Sequence, residues 1–366
     1  MKIQDIKITN FRNYEKLNLE FSPKLNIIFG KNGSGKTNLV EAIYLLSLTK
    51  SFRVNNDKLL IQKDKSNTSV EGNVISNVKT VYKIDIDNDG KKVFIDNTKV
   101  DRLSDYISKI NIVLFNPDDV NIITSAPSLR RRLLNIEISQ LEKEYLLLLN
   151  DYEKVLKNRN IYLKQIYLNG NSSKEYLDIL TSKLIDIGLK INEYRRNYVE
   201  DINKYIGEIY KNIFNFGDLK VKYLSSYNNK NKEKLLVDYR RYYSKEMTFG
   251  KTLFGVHHDD LEFLLDGNKL KEWGSVGQLK NSIISFKLAE VVIIKERKKD
   301  YPILILDDLF SELDEEKINN IFKLLNNYVQ TFITTTEIDK LKLDNYSEYK
   351  LFNVNEGKIE EIDYGK

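Results

Sequence analysis

The 366-residue chain predicts an α/β fold in which a mostly helical stretch is set between two α/β stretches. Three observations predict it. An apolar run, Leu25-Asn26-Ile27-Ile28-Phe29, leads into a glycine-rich loop and then into residues at helical spacing. A second apolar run, Ile303-Leu304-Ile305-Leu306, ends in two carboxylates, Asp307 and Asp308. Between them, Leu134, Ile138, Leu141, Tyr145, Leu148, Tyr152 and Val155 step alternately by four and three, as the seam of a packed helix does. The length favours two domains of about 150 residues, or a core with a large insertion. The boundaries read from these patterns are 1–116 and 244–366 for a split α/β lobe and 117–243 for the helical lobe.

Taken in order, residues 24–29 form a short apolar run stopped by Gly30, the pattern of a buried strand. Leu39, Ala42, Ile43 and Leu46 then fall on one side of a helix over 38–48. From Val70 to Val100 apolar and polar residues alternate, and Asn88-Asp89-Gly90 has the composition of a hairpin turn. The first helical seam is broken by Asn169-Gly170-Asn171-Ser172-Ser173. A second seam follows at Leu180, Leu184, Ile187, Ile191, Tyr194 and Tyr198. Two such helices joined by a short polar loop fold back antiparallel, each roughly 45–60 Å long. Thr331-Phe332-Ile333 reads as a further strand.

Composition narrows the function classes. Hydrophobic residues at 41% and charged residues at 30% support a packed core rather than a disordered chain. There is no cysteine, which excludes disulfides, cysteine-based zinc or iron–sulfur sites and a cysteine nucleophile. No apolar run is long enough to span a bilayer, and Met1–Ile6 lacks the apolar stretch of a secretory signal, so a cytoplasmic protein without a membrane partner is expected. The net charge of +5, from 58 basic and 53 acidic residues, permits an anionic partner without demanding one.

Gly30-Lys31-Asn32-Gly33-Ser34-Gly35-Lys36-Thr37 carries the chemistry. Its glycines let the backbone curl so that N–H groups face phosphate oxygens, and the following helix offers its positive end to the same anion. Lys36 is spaced to reach the β- and γ-phosphates of ATP, and Thr37 to hold Mg²⁺ through its hydroxyl. An acid buried at a strand end needs a cation or a metal, so Asp307 is expected to help hold Mg²⁺ and Asp308 to act as general base or water-positioning group. Lys36 and Asp308 are thus the candidate catalytic residues. Gly274-Ser275-Val276-Gly277-Gln278 precedes a further apolar helix; on its own it reads equally well as a helix cap at Ser275.

Together these motifs resemble the SMC-like ABC ATPases, and within them the RecF family of recombination mediators. The resemblance is carried by Asn10-Phe11-Arg12-Asn13-Tyr14, the phosphate loop continued by Asn38-Leu39-Val40-Glu41-Ala42, Ser51-Phe52-Arg53, and Phe115-Asn116-Pro117-Asp118-Asp119. It continues through Ser128-Leu129-Arg130-Arg131-Arg132-Leu133, Gly255-Val256-His257-His258-Asp259-Asp260, residues 274–278, Leu306-Asp307-Asp308 and Ser311-Glu312-Leu313-Asp314. It implies a two-lobed ABC-type P-loop ATPase head with an inserted helical lobe. It places Arg12 and Asn13 beside the nucleotide, and brings Ser275, Gly277 and Gln278 to the ATP of a second copy across an ATP-dependent homodimer. It also implies double-stranded and gapped DNA as ligands, RecR as a partner, support of RecA loading, and slow, DNA-dependent hydrolysis of ATP.

The chain departs from the family pattern at Val256 and His258, at Leu279-Lys280 after Gln278, and in having Thr334-Thr335-Thr336 where transporters carry a switch histidine. Asn116 or Asp119 stands where a Q-loop glutamine is expected. The two histidines lack cysteine neighbours and read as a structural turn rather than a zinc site. Of Arg130, Arg131 and Arg132, one is expected to pair with acids and another to reach DNA phosphate or the nucleotide. The basic, tyrosine-rich stretch from Lys211 to Gly250 can grip a phosphate backbone, though such a run is usually a solvated face. A transporter-type nucleotide-binding subunit is the competing reading.

Overall fold

The structure, a computed structural model, describes residues 1–169, 174–214, 217–309, 313–325, 328–336, 338 and 348–362. The chain divides into two compact units, one of Met1–Asp119, Glu208–Phe216 and Ile283–Lys366, the other of Val120–Gly207 and Gly217–Ser282. The second unit opens near the expected boundary at 117, but residues 244–282, expected in the first lobe, group with the helices. Specific bonds hold them there. Fully buried Arg159 donates to Glu246 at 2.7 Å and to the Thr252 hydroxyl at 2.7 Å. The strand Asp260–Leu265 pairs with Leu219–Leu224.

The first unit holds two six-stranded sheets. One is antiparallel, in the order Tyr14–Glu20, Lys2–Phe11, Asn67–Ile75, Lys79–Asp87, Gly90–Ile95, Thr98–Lys99. Alternate residues of Asn67–Ile75 are buried, as the alternating sequence requires. The expected hairpin turn closes with Asp87 opposite Gly90. The other sheet runs Lys358–Ile362, Tyr349–Asn355, Leu25–Phe29, Thr331–Thr335, Ile303–Asp307, Ile112–Phe115, and every neighbouring pair but the first is parallel. Its central strands are buried on both faces, the mark of parallel strands covered on both sides. Ile303, Leu304 and Ile305 are fully buried, each contributing about 1.5–3 kcal/mol.

The helix Lys36–Leu48 has eleven of its thirteen residues buried and contacts strands of both sheets. It lies so close to the antiparallel sheet that a side chain at Gly72 would come within 2.7 Å of Leu46. Burial on every side explains why Val40, Leu45 and Leu48 are as apolar as the residues at helical spacing.

In the second unit the first seam is two helices, Pro127–Leu141 and Lys143–Asn169, because Glu142 leaves the helical conformation (φ −130°, ψ 105°). The partner helix is Lys174–Phe214. The expected polar linker at 170–173 lies outside the described residues. Contacts between the long helices step backwards along one as they step forwards along the other: Tyr145 with Arg195, Arg159 with Thr181, Tyr162 with Tyr176. The pair is therefore antiparallel, with lengths of about 40 and 60 Å. The middle stretch is not wholly helical, since Leu219–Leu224 is a strand with Leu219, Val221 and Tyr223 turned inward. Its period of two is too short a run to stand out beside two long helical seams. The helix Lys232–Phe249 is capped by the Asn231 side chain, which accepts from Lys234 N at 3.1 Å.

Candidate functional site

Parallel register places the ends of three strands side by side. Phe29 lies opposite Thr335, and Thr334 opposite Asp307. The glycine-rich loop leaves the first of these strands, the aspartates end the third, and the threonines lie between. Ligands of such sheets bind at this edge.

Two loop glycines are sterically required. At Gly30 (φ +151°) a Cβ would lie 2.3 Å from Val354 O, and at Gly35 (φ +121°) 2.5 Å from Asn13 Nδ2. Lys36 Nζ donates to Gly30 O at 2.7 Å and Lys31 O at 3.0 Å. Burial lowers its pKa, while the neighbouring Asp308 and Asp307 pull it back up. Ser34 Oγ is buried with no hydrogen-bonding partner among the described residues. An unpartnered buried hydroxyl in a loop of this shape fits an anionic ligand oxygen.

Across the loop, Asp307 Oδ1 accepts from the Thr37 hydroxyl at 3.1 Å and from the Thr334 hydroxyl at 2.6 Å. Burial raises the Asp307 pKa; the two hydroxyls oppose that rise, Asp308 adds to it, and Arg53 opposes it. Asp308 has a left-handed backbone (φ +50°), and its N–H donates to Thr334 Oγ1 at 2.9 Å. One hydroxyl thus ties the side chain of the first aspartate to the backbone of the second. Thr334 is engaged with these carboxylate residues rather than placed as a free switch residue.

Asn13 reaches the loop, and Arg12 the helix that follows it. Arg12 (φ +53°) forms a two-pronged ion pair with Glu41, Nε to Oε2 at 2.9 Å and Nη2 to Oε1 at 2.8 Å. Glu41 is fully buried, also accepts from the Ser51 hydroxyl, and lies 3.5 Å from Arg53. Asn13 Nδ2 donates to Ser34 O at 3.0 Å, and its Oδ1 accepts from Asn38 Nδ2 at 2.8 Å. Tyr14 OH donates to Gly35 O at 2.8 Å. Sequence reasoning assigned no role to Tyr14 or Glu41. For Glu41 a signal existed: a lone charge amid Leu39, Val40, Ala42 and Ile43, one helical turn after Thr37.

Ser275, Gly277 and Gln278 belong to the second unit, the phosphate loop to the first. Ser275 and Gln278 form a reciprocal cap on the helix Val276–Lys298. Ser275 Oγ accepts from Gln278 N at 3.3 Å, and Ser275 N donates to Gln278 Oε1 at 2.9 Å. Ser275, Val276 and Gly277 are exposed, and nothing lies within 4 Å of where a Gly277 Cβ would stand. The turn is a capped helix start open to solvent.

Asn116 and Asp119, the Q-loop candidates, bond to one another, Nδ2 to Oδ1 at 3.2 Å, and close a local turn. Ser311 and Glu312 lie outside the described residues, whereas Asp314 caps the helix Glu315–Leu325 by accepting from Lys317 N at 2.9 Å. Arg130 pairs with Asp260 (Nε to Oδ1, 2.6 Å) and donates to the carbonyls of Ile122, Ile123 and Ser125, while Arg131 donates to Asp259 O at 2.8 Å and Arg132 is exposed. His257 and His258 sit in the short turn Val256–His258, with His257 Nδ1 2.8 Å from the Tyr152 hydroxyl. No cluster of metal-binding side chains forms there or elsewhere among the described residues.

The model of the RecF/RecN/SMC N-terminal domain matches residues 2–360. The DNA replication and repair protein RecF of Oceanobacillus iheyensis is 37% identical over 368 residues, covering 98% of this chain and 100% of its own. The chain belongs to the RecF family. RecF of Bacillus velezensis is likewise 37% identical, over 98% of this chain and 100% of its own. The solved structure of the recombination mediator RecF with ATP, from the RecFOR pathway, superposes with a TM-score of 0.91 at 30% identity, covering 99% of this chain and 98% of its own. An Smc head bound to a winged-helix domain of ScpA shares the fold at a TM-score of 0.58 and 18% identity, over 100% of this chain and 98% of its own. The α/β, ABC-type ATPase head expected from the motifs is thus the fold of this family.

Proposed function

We propose that this RecF-family chain is an ATP-dependent, DNA-binding recombination mediator whose two copies close head to head on duplex DNA near single-stranded gaps. The observation that carries the reading is the convergence on one sheet edge of the phosphate loop, the orphaned Ser34 hydroxyl and the Thr37–Asp307–Thr334 cluster. The ATP-bound state of the solved RecF relative supports the same ligand. Residues 30–37 hold the phosphates, and Lys36 neutralises charge on the β- and γ-phosphates.

Thr37 and Asp307 suit Mg²⁺, because that ion takes one or two protein oxygens and fills the rest of its shell with water and phosphate. When bound, the ion adds neutralising charge on the phosphates. Asp308 orients the attacking water and takes its proton as ADP leaves the γ-phosphorus. The hydroxyl of Thr334 is a weak base and is already engaged, which suits slow turnover. Arg12 and Asn13 hold the loop and its flank. Exposed Ser275 and Gly277, with Gln278 behind them, complete the ATP site of the second copy.

Exposed Lys234 and Lys245, on one side of the helix Lys232–Phe249, supply basic groups for the DNA backbone. RecR is the expected protein partner, with support of RecA loading, DNA repair and replication restart as the outcome. No described helix is long and apolar enough to cross a membrane.

The test is ATP-dependent retention on gapped duplex DNA over a salt series. Retention should weaken linearly in log salt, depend on ATP, and vanish in Lys36→Ala. ATP-independent retention, or an unaffected Lys36→Ala protein, refutes the reading.

A further inference from the structure

We propose that the turn Asn355-Glu356-Gly357 is the outer wall of the phosphate loop, and that Gly357 is a positioning residue for nucleotide binding. The inference rests on reading residues 30–37 as the loop that holds ATP.

Register brings the turn there. The strand Tyr349–Asn355 runs parallel to Leu25–Phe29 with Asn353 opposite Phe29, so the residues after each reach the same edge together. Val354 O then lies where a Cβ on Gly30 would stand, at 2.3 Å. Gly357 N donates to Ser34 O at 3.2 Å. A Cβ on Gly357 (φ +81°) would meet Asn13 O at 2.5 Å, so only glycine allows this approach.

The chemistry follows from peptide geometry. In a planar trans peptide the C=O and the next N–H point opposite ways. Ser34 O is gripped by two donors, Asn13 Nδ2 and Gly357 N, and Gly35 O by Tyr14 OH together with the helix N–H groups of Asn38 and Leu39. Holding these two carbonyls outward turns the N–H groups of Gly35 and Lys36 the other way, toward the side where phosphate binds. Asn13, Tyr14 and Gly357 thereby preorganise the loop's donors from outside.

Gly267 supplies the control. It also has a left-handed backbone (φ +80°) in a hairpin turn, but nothing lies within 4 Å of its would-be Cβ. Gly357→Ala and Gly267→Ala therefore carry the same backbone strain, and only the first disturbs the loop. In steady-state ATPase assays with Mg-ATP, Gly357→Ala should raise KM about tenfold, as for loss of a hydrogen bond, with kcat changed less than about threefold. Gly267→Ala should leave KM unchanged. Equal KM values for the two variants overturn the proposal.

Should Gly357→Ala not fold, amide exchange on the unaltered protein decides. Added Mg-ATP should slow exchange at residues 30–37 and 353–357 together. Protection of the loop with 353–357 unchanged overturns the inference alone. No protection at 30–37 removes the ATP reading, and the inference with it.

Discussion

The Thr334 hydroxyl donates to Asp307 Oδ1 at 2.6 Å while accepting the backbone N–H of Asp308 at 2.9 Å. It sits between the two because its strand lies between the phosphate-loop strand and the aspartate strand, with Thr334 level with Asp307. A fully buried hydroxyl in that position sets the orientation of one carboxylate and the backbone of the next.

Thr334→Val keeps the shape and removes both bonds. Asp307 Oδ1 then keeps only the Thr37 hydroxyl and the Asp308 N–H loses its acceptor, at a cost of about 1–3 kcal/mol, so kcat for ATP should fall about 10–100-fold with a smaller change in KM. Thr334→Ser should restore most of the rate. Steady-state ATPase measurements check this, and an unimpaired valine variant would show that the hydroxyl does not position the aspartates.

Ser275→Arg places a long cation on an exposed turn and removes the Ser275 half of the helix cap. The expected loss of stability is about 1 kcal/mol, read by urea denaturation. ATP binding by the variant should persist, because the phosphate loop belongs to the other unit. ATP-dependent dimerisation, read by light scattering, should be lost. Dimers formed as readily as in the wild type would exclude the turn from the interface.

His257 makes stability pH-dependent in the helical unit. Burial pushes its pKa down to about 4, His258 adds to the fall, and the Thr252 carbonyl opposes it. The folded protein therefore keeps the imidazole neutral at pH values where the unfolded chain, near 6.5, takes up a proton. Stability is fully present above about pH 6.5 and declines as the pH falls toward 4, by about 3 kcal/mol in all. Tyr152, His258, Arg131 and Arg159 surround the ring, and the carboxylate of Asp259, two residues on, is paired with Arg195. His257→Gln keeps a donor for the Thr252 carbonyl and should lose this component, so its denaturation midpoint should change less between pH 7 and 5 than that of the wild type.

Much of the site was legible before folding, because its chemistry is local. The loop from Gly30 to Thr37 needs glycine, lysine and a hydroxyl at set offsets, and a strand and a helix must flank it. All of that is written within about twenty consecutive residues. Asp307 and Asp308 were legible for a similar reason, since two carboxylates closing an apolar strand demand a partner. The heptad seams announced the antiparallel helices, although nothing in their spacing marked Glu142 as the break.

The chain by itself determined the glycine-rich loop, the acid-ended strand and the two-part α/β-plus-helical plan, since each depends on side-chain types at short separations. Only the tertiary structure decided that 244–282 joins the helices, that Glu41 holds Arg12 beside Ser51, that Thr334 bridges the aspartates, and that Gly357 leans on Ser34. These four depend on how the chain packs residues from ten to more than three hundred positions apart, and such contacts leave no periodic trace in one dimension. A glycine at a turn looks the same whether it faces solvent, as Gly267 does, or another backbone, as Gly357 does.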